Sequence, residues 1–334
     1  MAAHDINREN PWPWLDPFSE GAAEFFNGRD DDAAALERHV LSGAASVLFG
    51  KSGLGKTSLL QAGLFPRLRR LRLLPVLVRL KHGDDAPAAL DQIHARLVEE
   101  CAAHASDAAG RSRLAQQRRR IGSTPLWLAL HTPPLAARDA DGNAWQPVFV
   151  LDQFEEIFTL GAQNAERQQR HFGSLGDLIE NRIPAAVEAA IGADEDLLDR
   201  LQLDAQPYRV ILSLREDYLP DLERWCDRIP RLGPNRYRLL PMREEQALAA
   251  TLQTGGTLLS RRRRRTDRPL RRQPARWRPH CQRWRLAART ADRTGAAQPG
   301  LLGPQRRAPG ERRGADRRQQ PRTARRPHHR ALLR

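Results

Sequence analysis

The sequence has 334 residues and a formal charge of +15, and its 55 basic residues include only three lysines, Lys51, Lys56 and Lys81. That length admits about two domains and one sizeable core, whereas the charge belongs to one segment: residues 261–334 carry 25 arginines against four acids, and residues 1–260 sum to −6. No run approaches the ~20 apolar residues of a membrane-spanning helix, no basic-then-apolar leader opens the chain, and Cys101, Cys226 and Cys281 are spaced for neither a disulfide framework nor a zinc site, so a reducing cytoplasm is the expected compartment.

Short apolar runs alternate with longer segments of helical period, the pattern of an α/β fold. Ala45–Phe49 is the first expected strand and leads directly into a glycine-rich stretch. Leu73–Leu80 is the second, and Pro75, which has no N–H for a ladder, places it near a sheet edge. A helix is expected over Ala89–Ala105, with Leu90, Ile93 and Leu97 on one face and Cys101 one turn further on as a small core residue. Asp139–Asn143 reads as a polar turn before the third strand, Val148–Leu151. Phe172–Ile191 is a second helix, Asp194–Gln206 a surface excursion, Val210–Leu214 the fourth strand, and Tyr237–Leu240 the fifth. After Pro241 a third helix covers Glu244–Leu252. Continuous apolar strands of this kind suit a parallel sheet covered on both faces.

Gly50, Gly55, Lys56 and Thr57 fit the P-loop pattern G-x-x-x-x-G-K-[ST], placed after a strand and opening a helix as the pattern requires. Glycines let backbone N–H groups approach phosphate oxygens, and the helix N-terminus adds its positive dipole end. Lysine supplies a compact, flexible point charge for the β- and γ-phosphates, where a wide guanidinium is a poor substitute. That accounts for a lysine in a chain that otherwise uses arginine. Thr57 is a candidate Mg²⁺ ligand, and the candidate nucleotide contacts are Gly50, Ser52, Gly53, Gly55, Lys56, Thr57 and Ser58. The loop reads phosphates, so it does not separate adenine from guanine.

Downstream, Asp152 ends an apolar strand in VFVLDQFEEIF, placed to share the metal with Thr57, and Glu155 and Glu156 follow within one turn. One of the two glutamates is the candidate for orienting or deprotonating a water; the spacing does not choose between them. Arg215, just past the fourth strand in VILSLRED, is placed to contact a γ-phosphate, because ligands of such sheets gather at the carboxyl ends of the strands.

In their order along the chain PWPWLDPFSEGAAEFFNGRDDD, the P-loop with SLLQAGLFPRLR, PLWLALH, LDQFEEIFTLG, GDLIENRIP, YRVILSLREDYLPDLERW and IPRLGPNRYRLLPMREEQAL resemble the bacterial novel STAND group of signal-transduction ATPases, from about Asn10 to Ser260. The resemblance implies a P-loop NTPase with a five-stranded parallel sheet in the order 5-1-4-3-2. It further implies Gly28 and Arg29 as residues near the nucleotide, Arg215 as a sensor of the γ-phosphate, and ATP or ADP with Mg²⁺ as cofactors. The activity it implies is slow Mg²⁺-dependent hydrolysis coupled to exchange of ADP for ATP, formation of a homo-oligomer, and action on an effector the sequence does not name. On this reading residues 1–27 are a lead-in, 28–260 the NTPase domain and 261–334 a disordered tail, with the family's lid and sensor domains missing.

That tail departs from the family pattern at RRRRRTDRPL. Its arginine, proline, glycine and alanine content is that of GC-rich codons translated out of frame. Two other functional readings stay open beside the switch. The tail could bind nucleic acid non-specifically, with Trp277 and Trp284 stacking on bases, or the chain is a truncated remnant without function.

Overall fold

The computed structural model describes residues 6–83, 85–104, 108–132, 145–159, 165–203 and 205–266, and all of these fall within one compact unit. Five strands form a single sheet, β1 (Ala45–Gly50), β2 (Leu73–Val78), β3 (Gln146–Leu151), β4 (Arg209–Arg215) and β5 (Arg236–Arg238). Their order is β2-β3-β4-β1-β5 and every pairing is parallel, which is the order 5-1-4-3-2 expected from the resemblance. Pro75 lies opposite Val148 in the edge strand β2, where its missing N–H costs no interior ladder bond.

Alternate residues of the strands supply two hydrophobic layers. Leu48, Leu73, Val148, Val150, Ile211 and Leu239 pack with α1 (Asp30–Ser42) and with the helical stretch that follows β1. Val47, Val76, Phe149, Leu151, Val210 and Leu212 face the other way, against α4 (Ala89–His104) and α8 (Ala165–Glu180). Cys101 is buried in this second layer, as the helical spacing predicts. Helix α1 had no counterpart among the expected helices; its first turn holds Asp30, Asp31 and Asp32, favourably placed at the positive end of the helix dipole.

The helical stretch after β1 is not uniform. It passes from α2 (Lys56–Ser58) through a π-helical segment, Leu59–Leu64, into α3 (Phe65–Arg70). Pro66 lacks an N–H and its ring would crowd the carbonyl four residues back in an α-helix, so the wider turn immediately before it accommodates the ring.

The remaining helices are α5 (Ala108–Arg118), α6 (Leu126–His131), α7 (Glu156–Thr159), α9 (Ala185–Ala193), α10 (Glu195–Asp199), α11 (Leu219–Glu223) and α12 (Glu244–Thr266), the last much the longest of these. The single helix expected over Phe172–Ile191 is two, α8 and α9, because Asn181 turns left-handed at φ 56° and Pro184 cannot continue a helix. Helix α12 is longer than expected, and its backbone runs through Thr266. The polar turn expected at Asp139–Asn143 and the tail beyond Thr266, with Trp277, Trp284 and Cys281, lie outside the described residues.

Candidate functional site

At the carboxyl end of β1 the chain turns through Gly53 and Gly55, both left-handed at φ 79° and 85°. A Cβ built on either meets nothing within 4 Å, so these two glycines serve the backbone path and leave the loop open on its outer side. Gly50 has another reason to be glycine. Its Cβ would sit 2.7 Å from the Leu239 carbonyl oxygen, so the close approach of β1 to the segment after β5 excludes any side chain.

Lys56 folds back over the loop and donates from Nζ to the carbonyls of Gly50 at 2.9 Å and Lys51 at 3.2 Å. Lys51 thus contributes its backbone to the loop while its side chain is exposed. Burial lowers the Lys56 pKa from its usual value, and the nearby Glu155 and Asp152 carboxylates offset part of that shift.

Thr57 and Asp152, 95 residues apart in sequence, meet beside this loop: the Thr57 hydroxyl donates to Asp152 Oδ2 at 2.7 Å. The other carboxylate oxygen accepts from Ser213 at 2.8 Å, from the buried interior of β4. Asp152 is 7 % exposed, and these two hydroxyls fix its rotamer. The turn after it is anchored by the Phe154 N–H donating to the Ser213 carbonyl at 2.8 Å, and it passes through Gln153 at φ 55°, a strained conformation for a residue with a side chain.

Glu155 and Glu156 part company at this turn. Glu155 accepts from the Arg215 backbone N–H at 3.2 Å, at the end of β4. Glu156 is paired in bidentate fashion with Arg79, at the end of β2. The guanidinium of Arg215 bonds Asp217 at 2.5 Å and lies over the Tyr218 ring at 5.7 Å. Its Nε is buried without a hydrogen-bond partner among the described residues.

Ser52, Gly53, Gly55, Lys56, Thr57, Ser58, Asp152, Glu155 and Arg215 line one cleft of about 760 Å³, and Gly50 and Glu156 are not among its lining residues. A glycine-rich turn, a lysine, and a hydroxyl beside a carboxylate form a hard-oxygen and cationic set suited to a polyphosphate with a small divalent cation. A family model described as novel STAND NTPase 1 matches residues 11–254. The chain belongs to the novel STAND NTPase 1 family. No curated protein matches this chain.

Two residues that the resemblance puts near the nucleotide stand apart from the cleft lining of this STAND NTPase. Arg29 is 4 % exposed, and its guanidinium donates to Asp32 at 2.9 Å, to the Leu240 carbonyl at 2.9 Å and to the Leu54 carbonyl at 3.2 Å. It therefore clasps the phosphate loop to α1 and to the segment after β5. Asp32 also accepts from Tyr237 at 2.6 Å, and burial followed by that bond holds the phenol well above its ordinary pKa. Gly28, at φ 84°, lies against α12: a Cβ there would be 2.3 Å from the Gln246 carbonyl.

Other residues of the STAND cleft were missed in the sequence. The lead-in Trp12–Phe18 runs along its rim, tied down where the Phe18 N–H donates to Ser58 Oγ at 3.1 Å. Trp14 and Leu15 are exposed there. The family match starts at residue 11 and so includes this rim. Ser213 left a signal, being the one hydroxyl in an otherwise apolar strand, and Arg79 another, ending an apolar run as Arg215 does.

Proposed function

We propose that the chain binds ATP and ADP with Mg²⁺ in this cleft and hydrolyses ATP slowly, as the nucleotide-controlled core of a signalling switch spanning residues 28–260. The observation that carries the reading is the Thr57–Asp152 contact at 2.7 Å beside a loop already in phosphate-ready conformation. A P-loop hydroxyl and a strand-end carboxylate have no reason to meet at that spot for packing alone, and together they supply the oxygen ligands that Mg²⁺ requires.

Lys56 leaves the Gly50 and Lys51 carbonyls for the β- and γ-phosphates, and the loop N–H groups hold the remaining oxygens. Thr57 and Asp152 would hold the metal, which would supply charge neutralisation at the phosphates. Glu155, which lines the cleft as Glu156 does not, is the residue we assign to the water. The water oxygen forms a bond to the γ-phosphorus as the bond to the β–γ bridging oxygen breaks. The proton passes to Glu155, and ADP departs with the bonding pair. Arg215 leaves Asp217 to meet the γ-phosphate, so its position differs between the ATP and ADP states, and that difference is what biases the switch and the assembly of several copies.

Nucleotide binding by the full chain tests this, measured by fluorescence of labelled ADP and of a labelled non-hydrolysable ATP analogue. Lys56→Ala should weaken both by at least about tenfold, as expected for loss of a charge-assisted contact. Unchanged affinity in that variant, or no binding by the native chain, would end the proposal. Phosphate release that survives Glu155→Gln would remove Glu155 from its role and leave the binding reading intact.

A further inference from the structure

The cleft contains one cation that neither the sequence motifs nor the resemblance assigns. β2 and β3 pair up to Val78 and Leu151, so Arg79 and Asp152 are the next residues beyond the paired ends of neighbouring strands. Arg79 lines the same cleft as Lys56, Thr57, Asp152 and Glu155, and its side chain is 60 % exposed. Its ion-pair partner among the described residues is Glu156, gripped through the Nε–Nη2 edge of the guanidinium. Arg215 holds the matching place at the end of β4, on the other side of β3, and is likewise held by a carboxylate, Asp217.

We propose that Arg79 is a second contact for the terminal phosphate, parked on Glu156 until a triphosphate enters, and that the competition between Glu156 and the γ-phosphate sets the preference for ATP over ADP. The inference rests on the proposed nucleotide reading of the cleft. A guanidinium offers a planar fork, and a phosphate face matches it as well as a carboxylate does while carrying more charge. Because the pair is largely solvent-exposed on the arginine side, breaking it costs little. Exchange of partner therefore requires only rotation of a flexible side chain at the rim. Diphosphate has no group at the outer position and leaves Arg79 where it is. The two adjacent glutamates then have separate duties: Glu155 is bonded to the end of β4 and faces the water, and Glu156 is a placeholder at the end of β2.

The test uses the full chain with labelled ADP and a labelled non-hydrolysable ATP analogue, and reads the ratio of the two affinities. Arg79→Ala should lower affinity for the triphosphate about tenfold, the usual loss for one charge-assisted contact, with ADP affinity within about twofold. Glu156→Gln should move the ratio the other way, because the competing charge is gone and Arg79 is free. Opposite signs are the decisive feature, since a pair that merely braces the fold would make both variants weaken both nucleotides together. Arg79→Lys should recover part of the triphosphate affinity. Shifts in the same direction, no shift in either variant, or equal losses for both nucleotides would overturn the proposal. If the native chain binds neither nucleotide, the failure belongs to the nucleotide reading itself.

Discussion

Replacing Arg29 separates a clasp from a nucleotide contact. The side chain is 4 % exposed and Asp32 15 %, and the guanidinium serves three acceptors on three segments: Asp32 in α1, Leu54 in the phosphate loop and Leu240 beyond β5. Arg29→Met keeps much of the volume and removes every donor. Asp32 retains the Tyr237 hydroxyl but loses its cationic partner, and two carbonyls lose a donor. Breaking a buried ion pair on one side costs about 3–5 kcal/mol, out of a total stability of roughly 5–15 kcal/mol. For a domain of this size each 1 kcal/mol moves the melting temperature by about 2–4 °C, so Arg29→Met should melt roughly 6–20 °C lower. The assay is urea and thermal unfolding, followed by nucleotide titration at a temperature where the variant is folded. Under those conditions the affinity should fall modestly, because the loop is less well held. If the variant is as stable as the native chain to within about 1 kcal/mol and yet loses nucleotide, Arg29 touches the ligand and the clasp argument is wrong.

Gly50→Ala should destabilise by about 1–3 kcal/mol, the usual cost of forcing extra volume into a packed site, because the new methyl lands 2.7 Å from the Leu239 carbonyl; a urea midpoint equal to that of the native chain would show that β1 and the following segment can separate freely. Thr57→Val and Asp152→Asn should each make nucleotide affinity insensitive to Mg²⁺ while Lys56 still provides metal-free binding, and a variant that keeps the native Mg²⁺ dependence would remove that residue from the metal site. Acid should destabilise the fold below about pH 6.5. His82, His94, His131 and His171 are all lowered from 6.5 chiefly by burial. Below the unfolded value the unfolded chain takes up protons that the folded chain refuses, so stability is fully present above pH 6.5 and declines as pH falls, by at most about 1.4 kcal/mol per pH unit for each such histidine. A melting temperature flat between pH 7 and 5 would contradict this.

The strands were legible because a parallel sheet covered on both faces needs continuous apolar runs, and Val148–Leu151 and Val210–Leu214 are such runs with a polar residue directly behind each. That same punctuation exposed Asp152 and Arg215, since a charged residue after a buried strand must emerge at the carboxyl end of the sheet, where the phosphate loop also is. The break between α8 and α9 was available in Pro184 and was outweighed by the apolar period on both sides of it. The split of Glu155 and Glu156 was not available. Consecutive positions entering a helix point about 100° apart, so one faces β4 and the other β2, but which faces which depends on the left-handed turn at Gln153 that precedes them.

Arg29 marks a deeper limit. A motif records which residue types accompany a nucleotide site, and a buried arginine that braces the phosphate loop accompanies it as faithfully as one that touches phosphate. What separates the two is the count of acceptors already satisfied. Arg29 donates to three, while among the described residues Arg215 has one carboxylate and a buried Nε without a partner, and Arg79 has one carboxylate at an open rim. A buried arginine held by three acceptors is costly to withdraw for a ligand, whereas one held by a single exchangeable carboxylate can change partners when a phosphate arrives. By that criterion the proposed sensing of a terminal phosphate would belong to the ends of β2 and β4, and Arg29, which bonds the Leu54 carbonyl, is part of the frame that holds the phosphate loop.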